Sequence, residues 1–393
     1  MNIKAKHATR PAQAHAELFP LLLAAALLAA CGGTTAPYRA PTPQSSTAMP
    51  SGSALMPWSA SDPTIARPAA LALLSPDHVY VSLNNLDANY APGGPGIVVA
   101  LQPSTGATTP LNLGGTTGHD CTNAGALKLD SGKLYVSCTG SYAPASGTPD
   151  TRGRQVVELN TTTNLISRTS PAPLDFQPSS IAVTPNKIWV GDASTARIYS
   201  IDRQTFAVVD GADPSHPIAL PCASLSVNMY ASVPDLAYVN GDLFALCSAT
   251  DGYIVQLDAN TGAVKGQEQL VGSIPVAIAL TGSGELAISN SVSATVSLVT
   301  LSAAGMTVQK DVVKFAGTAN LQGIAARDNF FFVVAAATNN VDKYDLAQQP
   351  PKLVSEKSTG DNTSPLAILP LDDNQVLVTN YTTGTVVGLD FSK

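Results

Sequence analysis

The feature that most constrains this sequence is a pattern of short strands that recurs seven times. In each unit an apolar strand and a tight turn with Asp, Asn or Gly precede a second strand, which usually carries an aromatic or bulky residue. That position is occupied by Tyr80, Tyr135, Trp189, Phe244, Ala287, Phe332 and Leu377, at spacings of 55, 54, 55, 43, 45 and 45 residues. A third strand follows in every unit, and six units have room for a fourth.

Seven units of about four short strands predict an all-β protein, a seven-bladed β-propeller over residues 67–393. A single blade cannot bury both of its faces, so neighbouring blades must stack and the ring must close. The seventh unit reaches Lys393 after three strands, and we expect residues 64–70 to supply the missing strand. The alternative is a β-sandwich or two stacked β domains, but sandwiches lack such a strict repeat.

The N-terminus is typical of an export signal. A basic start precedes an apolar run over 19–30, which is too short to span a bilayer but suits a signal peptide. The run ends in Leu28-Ala29-Ala30-Cys31, which resembles the bacterial lipobox. We therefore expect residues 1–30 to be removed and Cys31 to be lipidated, which anchors the protein to a membrane of the bacterial cell envelope, facing the periplasm or the exterior. The alternative is an ordinary signal peptide with a chance cysteine.

Residues 31–66 separate the predicted anchor from the ring. Beyond the lipidated cysteine this stretch is rich in Pro, Ser and Thr and shows neither helical nor strand periodicity. Such a segment cannot bury enough apolar area to offset the entropy of ordering it. It is predicted to be a flexible tether.

Several blades resemble the YVTN-family propeller repeat. Its consensus V-Y-V-T-N, a short turn and T-V-S-V-I-D are matched by residues 375–380 (QVLVTN) and 385–390 (TVVGLD), and more weakly by 286–290 (LAISN). The Asn or Asp that ends the second strand is replaced by Cys138, Cys247 and Ala335 in other blades. The resemblance implies the fold and a structural role for that Asn or Asp. It does not imply a function.

The repeat also predicts how the cysteines pair. Besides Cys31 there are four, which allow three pairings. Cys138 and Cys247 occupy the same blade position, and each has a partner upstream in the connection that enters its own blade. We expect the disulfides Cys121–Cys138 and Cys222–Cys247. No spacing of cysteines or histidines suits a metal site.

Three long insertions are expected on one face of the ring, around the mouth of the channel. They span 84–96, 139–154 and 221–234, and long loops on a rigid scaffold are where binding residues concentrate. The alternative is that these loops are merely solvated. The candidate binding face consists of Asn84, Asp87, Tyr90, His119, Asp120, Tyr142, Arg152, Arg154 and Tyr230.

Signals for catalysis are poor. His119 is the one histidine placed where a base at the channel mouth could act. The propeller lactonases that bind calcium use a glutamate in the first blade, but there is no Glu between Glu17 and Glu158. No motif for a cofactor is present, and the net charge of −7 gives no footprint for nucleic acid.

Three functions follow from these observations. The first is a lipid-anchored binding or scaffold module without catalysis, whose partner is an envelope protein or a small ligand. The second is a propeller enzyme of the lactonase or lyase type with its site around His119. The third is a propeller subunit within a larger envelope assembly.

Overall fold

The computed structural model describes residues 45–48, 66–87, 90–114, 121–141, 153–171, 174–210, 218–224, 231–303, 305–317 and 319–392. These residues form seven antiparallel sheets, which are the blades of a β-propeller. The predicted all-β class and the seven-bladed ring are confirmed. No helix within the described ranges is long and apolar enough to cross a membrane.

The strands of the first half of the ring alternate with the turns that the repeat predicts. Blade 1 comprises β2 (Pro68–Ser75), β3 (His78–Leu83), β4 (Ile97–Gln102) and β5 (Ala107–Asn112), and blade 2 comprises β6 (Ala124–Asp130), β7 (Lys133–Thr139), β8 (Arg154–Asn160) and β9 (Leu165–Thr169). Blade 3 comprises β10 (Pro178–Val183), β11 (Lys187–Asp192), β12 (Arg197–Asp202) and an outer edge made of β13 (Val208–Asp210) and β14 (Ile218–Ala219). After a short 3-10 helix at Pro221–Ser224, blade 4 comprises β15 (Leu236–Val239), β16 (Asp242–Cys247), β17 (Gly252–Asp258) and β18 (Gln269–Gly272).

The second half has shorter connections. Blade 5 comprises β19 (Pro275–Leu280), β20 (Leu286–Asn290), β21 (Thr295–Ser302) and β22 (Gly305–Lys314), and blade 6 comprises β23 (Leu321–Arg327), β24 (Phe330–Ala335), β25 (Asn340–Asp345) and β26 (Lys352–Ser358). Blade 7 comprises β27 (Pro365–Pro370), β28 (Gln375–Asn380), β29 (Thr385–Asp390) and β1 (Ser45–Ala48).

The first strand of every blade lies on the inside of the ring. Each of these strands packs against the first strand of the next blade, and β2 packs against β27, which closes the circle. Seven apolar clusters fill the seven spaces between neighbouring blades. The hydrophobic core is therefore divided among the blade interfaces, as expected for blades that are apolar on both faces.

The strand that completes blade 7 is not the one that the sequence analysis expected. Residues 68–75 form β2, the first strand of blade 1, so the expectation that 64–70 would close the ring is wrong. β1 closes it instead, with Ser45 opposite Gly388 and Ala48 opposite Thr385. This strand lies within the stretch assigned to the tether. The tether role of the remaining residues of 31–66 stays a prediction.

The bulky residues of the second strands dock one blade on the next. The Tyr80 hydroxyl of blade 1 donates to Asn164 Oδ1 at 2.7 Å, in the turn between the third and fourth strands of blade 2. The indole N–H of Trp189 in blade 3 donates to the Ala259 carbonyl of blade 4 at 2.9 Å. Both rings are fully buried. The regular spacing of these residues thus reflects blade packing.

Both predicted disulfides are present. The Cα atoms of Cys121 and Cys138 are 5.4 Å apart, and those of Cys222 and Cys247 are 6.4 Å apart. Each bond fixes the connection that enters a blade to the end of its second strand. In this ring the connections between blades and the turns between second and third strands share one face, which we call the upper face. The turns between first and second strands lie on the lower face.

Candidate binding face

The structure describes four of the nine predicted binding residues, and all four are at the upper ends of blades 1 and 2. They are Asn84, Asp87, Tyr90 and Arg154. The other five lie outside the described residues, as does the lipidation site. These are His119, Asp120, Tyr142, Arg152, Tyr230 and Cys31.

An arginine that the sequence analysis did not single out organises the face where blades 7 and 1 meet. Arg67 is only 7% exposed, and its guanidinium carbon lies 4.3 Å from the ring centre of Tyr90 and 5.3 Å from that of Tyr381. Tyr90 belongs to blade 1 and Tyr381 to blade 7, so the cation is held between the upper loops of two blades. Such cation–π contacts gain strength where water is excluded. We call these three residues the Arg67 stack.

Backbone bonds hold the blade 1 loop that carries Tyr90. The Asp87 amide donates to the Ala91 carbonyl at 2.9 Å, and the Tyr90 amide donates to the Asp87 carbonyl at 3.1 Å. A carboxylate oxygen of Asp87 also accepts from the Ala91 amide at 2.9 Å. Arg67 Nη2 donates to the Asp87 carbonyl at 2.9 Å, which ties this turn to the stack. These bonds fix Asp87, Tyr90 and Ala91 relative to one another and to Arg67.

Two of the predicted binding residues support the scaffold. The side-chain amide of Asn84 donates to the Ala124 carbonyl of blade 2 at 2.9 Å, so it links two blades. Arg154 begins the third strand of blade 2 and is only 5% exposed. Gly153 beside it approaches Thr122 so closely that a Cβ there would collide with the threonine. Of the four described residues, Asp87 and Tyr90 are therefore the better placed to meet a ligand.

Asp235, a buried acidic residue next to the inner wall of the ring, was also missed by the sequence analysis. Asp235 precedes the first strand of blade 4, and its carboxylate accepts from the amides of Leu236 and Ile278, each at 2.8 Å. Burial raises the pKa of Asp235 to about 6. The aligned positions of the other blades hold small residues, namely Ala70, Ala126, Ser180, Ala277, Gly323 and Ala367.

Asp235 joins two blades in the way that hydroxyls do elsewhere in the ring. Ser82 of blade 1 donates to the Gly125 carbonyl of blade 2 at 2.5 Å, and Ser289 of blade 5 donates to the Gln322 carbonyl of blade 6 at 2.6 Å. Asp235 makes the corresponding link from blade 4 to blade 5 by accepting from Ile278. Its role is therefore structural. The signal that could have revealed it is an acid in a column of small residues.

Among the described residues there is no group of three or more His, Cys, Asp or Glu side chains arranged to hold a metal ion. His78 begins the second strand of blade 1, on the lower face, with its ring centre 5.0 Å from that of Tyr80. The described part of the upper face thus offers two aromatic rings, which flank the buried cation of Arg67, and a carboxylate. These groups suit recognition by stacking and hydrogen bonding.

Comparison with known proteins shows the fold alone. No protein-family model matches the chain, and no curated protein matches it. Similar solved structures include a streptogramin B lyase, with 15% identity over 84% of this chain and 94% of that chain and a TM-score of 0.62. The β-propeller domain of Cps50 (Swd1) from Myceliophteria thermophila has 13% identity over 84% and 99%, with a TM-score of 0.62. The computationally designed Ika8 protein has 16% identity over 84% and 98%, with a TM-score of 0.54.

An enzyme and a designed protein thus share the architecture of this chain, so the architecture does not select a function. The membership in the YVTN family that the repeat motifs suggest stays a prediction, as does the lipobox.

Proposed function

We propose that this protein is a lipid-anchored β-propeller of the bacterial cell envelope that binds a partner on its upper face, without catalysis. The partner is an envelope protein or a small ligand, and the site lies where blades 7, 1 and 2 adjoin. Anchoring is supported by the lipobox-like sequence that ends in Cys31. Binding at this place is supported mainly by the Arg67 stack.

The Arg67 stack has the properties of a binding platform. Tyr90 and Tyr381 are each partly exposed, whereas the cation between them is buried, so the rings are held in place before any ligand arrives. Tyrosine and arginine are over-represented among the residues that dominate binding energy. A platform that is already ordered loses little entropy when it binds. Its location beside the long insertions of blades 1 and 2 extends the surface available to a partner.

The proposal is tested by capture from detergent-solubilised envelopes. The double variant Tyr90→Ala/Tyr381→Ala should lose at least about tenfold in captured partner, because it removes both aromatic surfaces. Val292→Ala is the matched control, since this exposed residue lies on an upper loop of blade 5. Capture by the double variant at the level of the unmodified protein would refute the site.

The enzymatic alternative gives a different result. A positioned acid or base acts mainly in the transition state, so His119→Ala would lower turnover by about 10²–10⁴ while leaving binding nearly intact. If the protein is a binding module, His119→Ala should leave the amount of captured partner unchanged. No turnover should then be measurable in the unmodified protein or in the variant. Turnover that depends on His119 would show that the protein is an enzyme.

A further inference from the structure

The direction of the closing strand fixes which side of the ring the N-terminal chain comes from. β29 runs from the upper face at Thr385 to the lower face at Asp390. β1 is antiparallel to it, with Ala48 opposite Thr385 and Ser45 opposite Gly388. The chain therefore enters β1 at its lower end, on the side of blade 7 that lies toward the lower face, and runs upward through it.

The distance between the ring and the anchor is limited by chain length. Cys31 precedes Ser45 by 14 positions. A fully extended chain of that length reaches at most about 50 Å, and a flexible one has an average span of about 20 Å. The second value is close to the length of one six-residue strand, about 20 Å. A flexible segment of this length would place the lipid of Cys31 about one blade height from the lower edge of blade 7.

From this geometry we propose that the ring stands on its anchor with the lower face toward the membrane and the upper face directed away from it. The inference rests on the lipidation that is part of the proposed function. It assigns the two faces different surroundings: the Arg67 stack and the long insertions are available to partners away from the bilayer. The lower turns face the lipid headgroups.

The chemistry of the lower turns indicates a ring held above the lipid surface. Asp77 is in a turn of this face, and Asp202 and Asp258 end third strands there. Hydrogen bonds lower the pKa of each of these carboxyls. In Asp202 and Asp258 the bonds come from the amides two and three residues on, and in Asp77 from Ser104 and Gln102. These carboxylates stay ionised at neutral pH and do not enter the bilayer. Attachment then depends on the lipid of Cys31.

The orientation can be measured with two labels in one blade. Ser283 lies in the lower turn between β19 and β20, and Val292 lies in the upper turn between β20 and β21. Both are exposed. The lipidated protein would carry a donor fluorophore on Ser283→Cys or on Val292→Cys. It would be reconstituted into phosphatidylethanolamine–phosphatidylglycerol vesicles that contain a headgroup-labelled acceptor.

We expect energy transfer from the label at 283 to exceed that from the label at 292 by about twofold, because one strand length of about 15–20 Å separates them. Equal transfer, or stronger transfer from 292, would overturn the orientation. The Cys31→Ala versions of both proteins should not float with the vesicles. If the unmodified protein itself fails to float, the anchoring half of the proposed function is refuted and the orientation with it, whereas the capture experiment tests the upper face independently.

Discussion

In blades 2 and 4 a covalent bond ties the end of the second strand to the segment that enters the blade, whereas in blades 5 and 7 hydrogen bonds tie the equivalent positions. We call this connection the joint. In blades 2 and 4 it is the disulfide of Cys138 or Cys247. In the other two, Asn290 donates to the Val271 carbonyl at 3.3 Å and Asn380 donates to the Thr359 carbonyl at 3.2 Å.

The difference follows the lengths of the upper connections. Cys121 and Cys222 lie in long connections, whereas Val271 and Thr359 lie at or just beyond the ends of fourth strands, a few residues before the next blade begins. A short connection is already restrained by its strands, so an amide bond is sufficient. A long one has more conformational entropy to lose, which a disulfide removes from the unfolded state. The disulfides are therefore local substitutes for the asparagines of the repeat.

The largest effect is expected where the ring closes without a covalent bond. A chain from which residues 1–48 are deleted lacks β1, so blade 7 loses its fourth strand and its pairing with Thr385–Gly388. We expect its melting temperature to fall by about 10 °C or more relative to a chain lacking residues 1–44, which keeps β1. Equal melting temperatures in a thermal scan would show that β1 does not close the ring.

The disulfides should come next. Cys121→Ser/Cys138→Ser and Cys222→Ser/Cys247→Ser should each lower the free energy of unfolding by about 3 kcal/mol, as expected for loops of 17 and 25 residues. Urea unfolding under non-reducing conditions measures the loss. A reductant should destabilise the unmodified protein and have a smaller effect on either variant. Non-reducing peptide mapping that recovers a link between Cys121 and Cys222 would contradict the joint itself.

The asparagine joints should contribute less than the disulfides. Asn290→Ala and Asn380→Ala should each lower the free energy of unfolding by about 1–2 kcal/mol, since each side chain is fully buried and bonded to a carbonyl. Thr382→Ala, an exposed change in the same upper loop as Asn380, is the control. Losses as large as those of the cysteine variants would remove the distinction between the covalent joints of blades 2 and 4 and the hydrogen-bonded joints of blades 5 and 7.

Two buried carboxylates, one in each half of the ring, should also respond oppositely to pH. Glu158 of blade 2 is fully buried; burial would raise its pKa, but hydrogen bonds from Arg168, Ser167 and Lys133 outweigh it and lower the pKa to about 2. Asp342 of blade 6 is also buried. Burial, and then the charge of Glu356 on the neighbouring strand, raises the pKa of Asp342 to about 7.

The pKa shifts of Glu158 and Asp342 have opposite effects on the way that stability depends on pH. The contribution of Glu158 is present above its unfolded pKa of 4.5 and is lost as the pH falls toward 2. That of Asp342 is present below its unfolded value of 3.8 and is lost as the pH rises toward 7. Asp342→Asn should therefore stabilise the protein at pH 8, by up to about 4 kcal/mol, and have little effect at pH 4. Urea titrations at both pH values test this, with the exposed Asp361→Asn as control; a gain that is equal at both would contradict the assignment.

The repeat predicted the blades and the disulfides because both depend on positions that recur. The second strands are buried on both faces, so their apolar pattern is conspicuous, and Cys138 and Cys247 stand where Asn290 and Asn380 stand. The closing strand could not be found in this way. Ser45–Ala48 is four residues of small and hydroxyl side chains at the outside of a blade, where no apolar alternation is required.

The candidate site was predicted only in part, for a different reason. Tyr90 was found because it lies in a long insertion. Arg67 and Tyr381 come from opposite ends of the propeller sequence and meet only when blade 7 packs against blade 1. No local pattern reports such a contact. Asn84 has the residue type and location of a binding residue, yet its amide is used to join two blades.

Site-specific photocrosslinking in intact cells tests the central claim, a binding face beside the Arg67 stack, most directly. A photoreactive residue would replace Ala91, which is exposed next to Tyr90, or Val292 on the corresponding loop of blade 5. The account predicts a discrete crosslinked product from position 91 and none from position 292. No product from position 91, or the same product from both positions, would contradict it.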